Sequence, residues 1–183
     1  MENKKDFTSS NTFKNLQAAY EAEAMACTKY LIYGGKAREE GYVQIGNIFE
    51  ETSMNEWKHA ELWLKLMKSG KLPSTLDNLK DSYSGENYDW TNRYIDFAQE
   101  ARREGYEEIA ELFEGVAGVE RHHDSRFRKL ASNIINDTVY SKKNNVLWTC
   151  TNCGNLFYGG SAPEPCPVCG CSRDYYQLNQ DNY

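Results

Sequence analysis

All three histidines of the chain fall into two short segments with one shared spacing, Glu56-Trp57-Lys58-His59 and Glu120-Arg121-His122-His123. Residues three apart on a helix share a face, so Glu56 with His59, and Glu120 with His123, each aim a carboxylate and an imidazole at one point. A single Glu-x-x-His is usually a solvated surface pair, but two copies at matching places favour metal ligation. His122 points about a quarter turn away from His123 and reads as a surface or supporting residue.

Four of the six cysteines form a second constellation, Cys150-x-x-Cys153-Gly and Cys166-x-x-Cys169-Gly, with twelve residues between the pairs. Paired knuckles of this kind present four thiolates in a tetrahedron, and the spacing alone admits zinc or iron. The pattern favours metal over disulfides in a reducing compartment. Cys171 reads as a bystander and Cys27 as a buried helix residue.

The elements that must position these groups are legible in the apolar periodicity. From about Ser10 to Ile135 apolar residues recur at spacings of three and four, interrupted only by Pro73. The pattern predicts helices from Ser10 to Glu40, Tyr42 to Ser69, Glu86 to Glu104 and Tyr106 to Asn133, with Gly41, Gly70 and Gly105 as stops. A connector over Lys71 to Gly85 would serve as the one long crossover of a ferritin-like four-helix bundle. Sliding the chain by sixty-four positions lays 37–59 on 101–123 with ten of twenty-three residues identical, including Glu56 on Glu120 and His59 on His123. Such self-similarity implies two related helix pairs about a pseudo-twofold axis.

The repeat also shows where further carboxylates should lie. Glu23 is 33 positions before Glu56 and Glu86 is 34 before Glu120, which places each near the level of its partner motif across a short turn. One Glu from each of two helices and Glu-x-x-His from each of the others is the ligand pattern of di-iron carboxylate bundles. Asp89, one turn beyond Glu86, is either a further ligand or a solvated first-turn acid; Glu21 faces away from Glu23. Five acids gathered in an apolar bundle require compensation, and two divalent ions supply it. The oxygen-rich shell suits iron or manganese.

Beyond the helices, 136–146 reads as a polar linker between a bundle over 1–135 and a small metal-dependent domain over 147–183, too short for an ordinary core. The net charge of -6 and the lack of a basic block argue against nucleic acid. No secretory leader and no apolar run of membrane length is apparent, so a cytoplasmic location with no membrane association is expected.

Trp148-Thr-Cys150-x-x-Cys153-Gly followed by Phe157-Tyr158-x-Gly160-x-Ala162-Pro163-x-x-Cys166-Pro-x-Cys169 resembles the rubredoxin-type domain of rubrerythrins. Tyr30-x-x-x-Gly34-Gly35, Gly41-Tyr42-x-Gln44-Ile45, Glu56-x-x-His59-Ala60 and Gly105-Tyr106-Glu107-Glu108-Ile109-Ala110 are similar to their bundle domain. The resemblance implies an all-α ferritin-like bundle with a small C-terminal rubredoxin-like β domain. It implies a peroxidase that reduces hydrogen peroxide to water at two non-haem irons, protecting against oxidative stress. Electrons would come through one further iron held by Cys150, Cys153, Cys166 and Cys169, with zinc able to replace it in recombinant protein. By the same resemblance Glu56 and Glu120 would bridge the irons, Glu23 and Glu86 would be terminal, and His123 would hold one iron. His59 would exchange with a carboxylate, here Asp89 where the family has glutamate. Tyr30 and Tyr94 would hydrogen-bond site carboxylates. The implied partners are a nicotinamide-linked reductase or a rubredoxin, and a second subunit paired head to tail. Alternatives are a di-iron oxidase consuming dioxygen and a ferroxidase or iron-storage protein.

Overall fold

The computed structural model describes residues 6–180. Residues 1–5, on which the expectation of no secretory leader partly rests, and 181–183 lie outside the described residues. The chain forms two compact units, 1–73 and 74–183.

The first unit is a helix pair, α1 (Asn11–Glu39) and α2 (Val43–Met67). Ser10 caps α1 by accepting the Phe13 N–H at 3.1 Å. Its end is set by Gly41, whose φ of 86° suits only glycine here, while Tyr42 N–H reaches back to the Ala37 carbonyl at 2.8 Å. The two helices approach closely at Gly34 and Gly46. A Cβ on Gly46 would sit 3.0 Å from the Gly34 carbonyl oxygen, so any larger residue would push the pair apart. Below this crossing the buried Ser53 donates to the Cys27 carbonyl at 2.9 Å, and its hydroxyl lies 3.3 Å from the Cys27 thiol.

The second unit repeats this design. α3 (Thr75–Tyr88), a π-helical turn at Asp89–Arg93 and α4 (Tyr94–Arg103) form one continuous rod, which packs on α5 (Glu107–Ile135). Gly105, with φ of 88°, ends α4, and Tyr106 N–H returns to the Ala101 carbonyl, matching Gly41 and Tyr42. Alanines Ala98 and Ala110 occupy the crossing that Gly34 and Gly46 occupy in the first pair. An ion pair recurs at the same repeat positions, Arg38 with Glu50 and Arg102 with Glu114.

The third helix begins at Thr75, eleven residues before the Glu86 expected from the sequence, because Ser74 caps it by accepting the Asp77 N–H. The connector between α2 and α3 is therefore only the seven residues 68–74. Residues 141–146, read from the sequence as part of a linker, begin β1 (Ser141–Cys150). β2 (Leu156–Ser161) and β3 (Tyr176–Leu178) flank it antiparallel, in the order β2-β1-β3, with Trp148 opposite Phe157 and Leu178. The small core is Trp148, Cys150, Ala162, Cys166 and Tyr176, and the Trp148 indole N–H donates to the Gly159 carbonyl at 3.0 Å. So few apolar residues make a marginal core, consistent with a domain whose stability depends on bound metal.

Candidate metal centres

In the first unit Glu23 projects from α1, and Glu56 and His59 from α2, so that a ligand atom of each lies within 4.8 Å of the others. His59 Nδ1 is 2.9 Å from Glu56 Oε2 and 3.7 Å from Glu23 Oε2. In the second unit Glu86 from α3, with Glu120 and His123 from α5, makes the same cluster, with 2.7 Å from His123 Nδ1 to Glu120 and 3.8 Å to Glu86. The pairing across each hairpin follows from the short turns, which hold the helix-borne glutamate level with its Glu-x-x-His partner.

The π-helical turn accounts for an irregularity in the repeat. Tyr30 lies seven positions after Glu23, but Tyr94 lies eight positions after Glu86. A π-turn accommodates one extra residue within a helix, and Asp89–Arg93 lies between Glu86 and Tyr94. Both tyrosines thereby keep the same environment: Tyr30 packs on Phe49 with centroids 5.9 Å apart, and Tyr94 on Phe113 at 6.1 Å. Asp89 does not join the second cluster, and its carboxylate pairs with Arg93 Nη1 at 2.8 Å. His122 faces Arg126, 3.0 Å from its guanidinium, as a surface residue would.

The chemistry of the donors fits cations. Burial and the hydrogen-bonded Glu120 beside it push the Glu86 carboxyl above the ordinary range, against the attraction of His123, and Asp89 adds to the rise. Two carboxylates brought this close share a proton unless a cation holds them both ionised.

One residue that sequence reasoning missed ties the second cluster together. Asp124, only 5% exposed, accepts hydrogen bonds from Asn87 Nδ2 at 3.1 Å, Trp90 Nε1 at 3.1 Å and Arg128 Nε at 2.5 Å. Burial pushes its carboxyl up, but the combined donors Trp90, Asn87 and Arg128 outweigh that and hold it below the ordinary range. Asn87 follows Glu86 and Asp124 follows His123, so this network fixes α3 against α5 where two members of the cluster emerge. The repeat concealed it, because the first unit has Ala60 at the equivalent position.

The four cysteine sulfurs also lie within 4.8 Å of one another. Cys150 is 3.9 Å from Cys169 and Cys153 is 3.8 Å from Cys166, close to the roughly 3.8 Å edge of a tetrahedron of thiolates about 2.3 Å from a central ion. Gly154 N–H donates to the Cys150 carbonyl and Gly170 N–H to the Cys166 carbonyl, closing two matching knuckles with φ of 78° and 73°. The Asn152 amide and the Cys171 backbone pull the Cys169 thiol down to about 5. Cys153, despite a backbone hydrogen bond from Asn155, is pushed up to about 12 by desolvation and neighbouring sulfurs. Only a cation allows all four to ionise together. Cys171, read from sequence as a bystander, has its sulfur 3.5 Å from Cys150 and 3.4 Å from Cys169. Tyr176 donates its hydroxyl to Cys166 Sγ at 3.2 Å and accepts from Asn155 at 2.9 Å.

Two carboxylate-imidazole clusters on repeated helix pairs, followed by a three-stranded domain with a four-thiolate site, define a ferritin-like carboxylate protein fused to a rubredoxin-like one. Residues 14–76 and 77–149 match the rubrerythrin family, and residues 148–177 match the rubredoxin-like domain of rubrerythrins. The chain is 38% identical to the rubrerythrin of Clostridium perfringens, over 98% of this chain and 100% of that one. It is 37% identical to the rubrerythrin of Nitratidesulfovibrio vulgaris, over 95% and 97%, and 35% identical to Rubrerythrin-1 of Clostridium acetobutylicum, over 98% and 100%. The chain belongs to the rubrerythrin family. Its cofactors are accordingly a di-iron centre and a rubredoxin-like iron, and its chemistry is that of an oxidoreductase. Among the described residues no helix is long and apolar enough to cross a membrane.

Proposed function

We propose that this protein is a non-haem di-iron peroxidase that reduces hydrogen peroxide to water and draws its electrons through the four-cysteine iron. The observation that supports it most is the pairing, in one chain, of two matched Glu/Glu/His clusters with a separate four-thiolate site. The ligands assigned are Glu23, Glu56 and His59 with Glu86, Glu120 and His123, and Cys150, Cys153, Cys166 and Cys169 for the third iron. Two ferrous ions held by the six carboxylate and imidazole residues would supply the two electrons that, with two protons, convert one hydrogen peroxide into two waters.

The protein's own groups have three tasks. The carboxylates Glu23, Glu56, Glu86 and Glu120 balance the charge of the cations, and their acceptor-only oxygens suit hard ions. His59 and His123 add neutral donors, each kept in place by a carboxylate from the same helix. Asp89 sits one turn from Glu86 and is assigned as an exchanging ligand: breaking the Arg93 pair frees its carboxylate. Tyr30 and Tyr94 are assigned as hydroxyl donors to site carboxylates.

The iron that Cys150, Cys153, Cys166 and Cys169 would hold would supply one electron at a time, two for each peroxide reduced. A nicotinamide-linked reductase or a rubredoxin supplies that site, since the chain carries no Gly-x-Gly-x-x-Gly fingerprint of its own. Cytoplasmic location and a homodimer belong to the same proposal. The test is stopped-flow mixing of anaerobically reduced, iron-loaded protein with one equivalent of peroxide, and separately with dioxygen. Reoxidation by peroxide at least ten times faster supports the reading. Faster reoxidation by dioxygen would make the protein an oxidase, and uptake of hundreds of irons per assembly would make it a store.

A further inference from the structure

We propose that Cys171 is a reserve ligand of the four-cysteine iron: when Cys169 is lost, the Cys171 sulfur takes its place and the site keeps four thiolates. The inference rests on the assignment of Cys150, Cys153, Cys166 and Cys169 as resident ligands and adds a fifth sulfur to them.

Cys171 stands in the second knuckle where Asn155 stands in the first, two residues after the second cysteine of each pair. The backbone makes the same bonds at both places. Cys150 N–H donates to the Asn155 carbonyl at 2.9 Å, and Cys166 N–H to the Cys171 carbonyl at 2.9 Å. Backbone hydrogen bonds from Asn155 and from Cys171 reach the sulfurs of Cys153 and Cys169 respectively. Since asparagine completes the first knuckle, the turn itself does not call for a thiol. The side chains then diverge: Asn155 gives its amide to the Tyr176 hydroxyl at 2.9 Å, whereas Cys171 lays its sulfur against the cluster.

That sulfur lies 3.5 Å from Cys150 and 3.4 Å from Cys169. Thiolates that share one ion stand roughly 3.8 Å apart, so Cys171 touches the Cys150–Cys169 edge from outside and does not occupy a corner. While both neighbours are ionised, a third negative sulfur there would be repelled, and a neutral S–H donating to one of them is favoured. The Cys171 carbonyl stays tied to Cys166, so an exchange asks only for rotation of the side chain. A change of χ1 rotamer moves a cysteine sulfur by about 3 Å, close to the 3.4 Å between the two sulfurs. In taking the corner, Cys171 releases its proton to solvent and a departing Cys169 thiolate takes one up, so thiolate replaces thiolate with no change of charge.

Exposure singles out Cys169 as the ligand replaced. Of the two sulfurs that Cys171 touches, Cys150 is fully buried in β1, whereas Cys169 is exposed and only two residues away on the same turn. Cys169 is thus the neighbour that solvent and oxidants reach. Cys153, the exposed ligand of the first knuckle, has Asn155 at the corresponding position and so no thiol of its own turn to replace it. The two knuckles should therefore respond differently to loss of their second cysteine.

Full-length protein loaded anaerobically with iron-57 in thiol-free buffer provides the test. Mössbauer spectroscopy reports sulfur-bound iron apart from bundle iron, and visible absorption reports the oxidised thiolate site. Cys169→Ala should keep about one sulfur-bound iron per chain with tetrathiolate absorption like that of the wild type, and its affinity in chelator competition should fall by less than about tenfold. Cys169→Ala/Cys171→Ala and Cys153→Ala should each lose more than about 100-fold, beyond the effect of removing a group that only supports a ligand. Equal losses in Cys169→Ala and the double variant overturn the proposal. So does loss of tetrathiolate absorption in Cys171→Ala, which would make Cys171 a resident ligand. Should alanine at position 169 unfold the domain, Cys169→Ser keeps the size of the side chain. Wild-type absorption there supports the exchange, and a shift to shorter wavelength, from serine oxygen bound in place of sulfur, overturns it. Wild-type protein without sulfur-bound iron would instead remove the ligand assignment on which the proposal rests.

Discussion

Replacing Asp124 by alanine tests the network that holds α3 on α5. The carboxylate takes three hydrogen bonds, from Asn87, Trp90 and Arg128. Arg128 is half exposed, and after the substitution its guanidinium turns to water at little cost. Asn87 and Trp90 are partly buried, and each stranded donor costs about 1–3 kcal/mol. The expected destabilisation of Asp124→Ala is thus about 2–6 kcal/mol, with Asp124→Asn, which keeps the volume and one acceptor, losing about half as much. Because Glu86 and His123 flank this network in sequence, ferrous affinity should also fall by about 10–100-fold, as it does when groups supporting metal ligands are removed. Urea unfolding of the metal-free protein followed by far-ultraviolet circular dichroism gives the first quantity, and competitive chelator titration the second. A loss below about 0.5 kcal/mol, the level of an ordinary surface substitution, with unchanged iron affinity would refute the positioning role.

Three further outcomes follow from other features. Tyr176→Phe removes the hydroxyl that donates to Cys166 Sγ at 3.2 Å, so the reduction potential of the cysteine-bound iron should fall by on the order of 50 mV, equivalent to about 1 kcal/mol, in a spectroelectrochemical titration. Deleting Asn92 takes one residue from the π-turn, the number by which this stretch exceeds the first unit; helicity should hold or rise while peroxide turnover drops at least tenfold, because the stretch that carries Asp89 returns to ordinary helix. The Arg102 guanidinium holds the Glu114 carboxyl below the ordinary range. A lowered folded value means that this contribution is fully present above the unfolded carboxylate range near pH 4.3 and disappears as pH falls through the folded value. Carbon-13 titration should place Glu114 below ordinary glutamates, and Arg102→Ala should return it to them.

The residues that the structure gathers into clusters were legible because their spacing is itself geometry: Glu-x-x-His on a helix and Cys-x-x-Cys in a knuckle fix which atoms meet. The internal repeat then carried Glu23 and Glu86 into place and marked Gly41 and Gly105 as stops. What escaped was local or tertiary. Glycine 85 and the polar run from Ser74 looked like crossover, but the Ser74 cap and Asp77 made it helix, and with that the connector shrank to 68–74. The one-residue offset between the 33- and 34-residue intervals was visible in the sequence, yet a π-turn has no residue signature that would have placed it. Asp124 resembled another charged helix residue, and its burial depends on Asn87 and Trp90 from a separate helix. Cys171 lies near the tetrahedron only because the second knuckle turns its backbone back, with Cys166 N–H donating to the Cys171 carbonyl at 2.9 Å.

Mössbauer spectroscopy of protein loaded anaerobically with iron-57 tests the central claim most directly, since it separates oxygen- and nitrogen-bound iron from sulfur-bound iron and counts both. The account predicts two of the former for each one of the latter, with the pair lost and the sulfur-bound iron retained in Glu56→Ala/Glu120→Ala. Sulfur-bound iron alone in the wild-type protein, or an unchanged pair in that double variant, would contradict it.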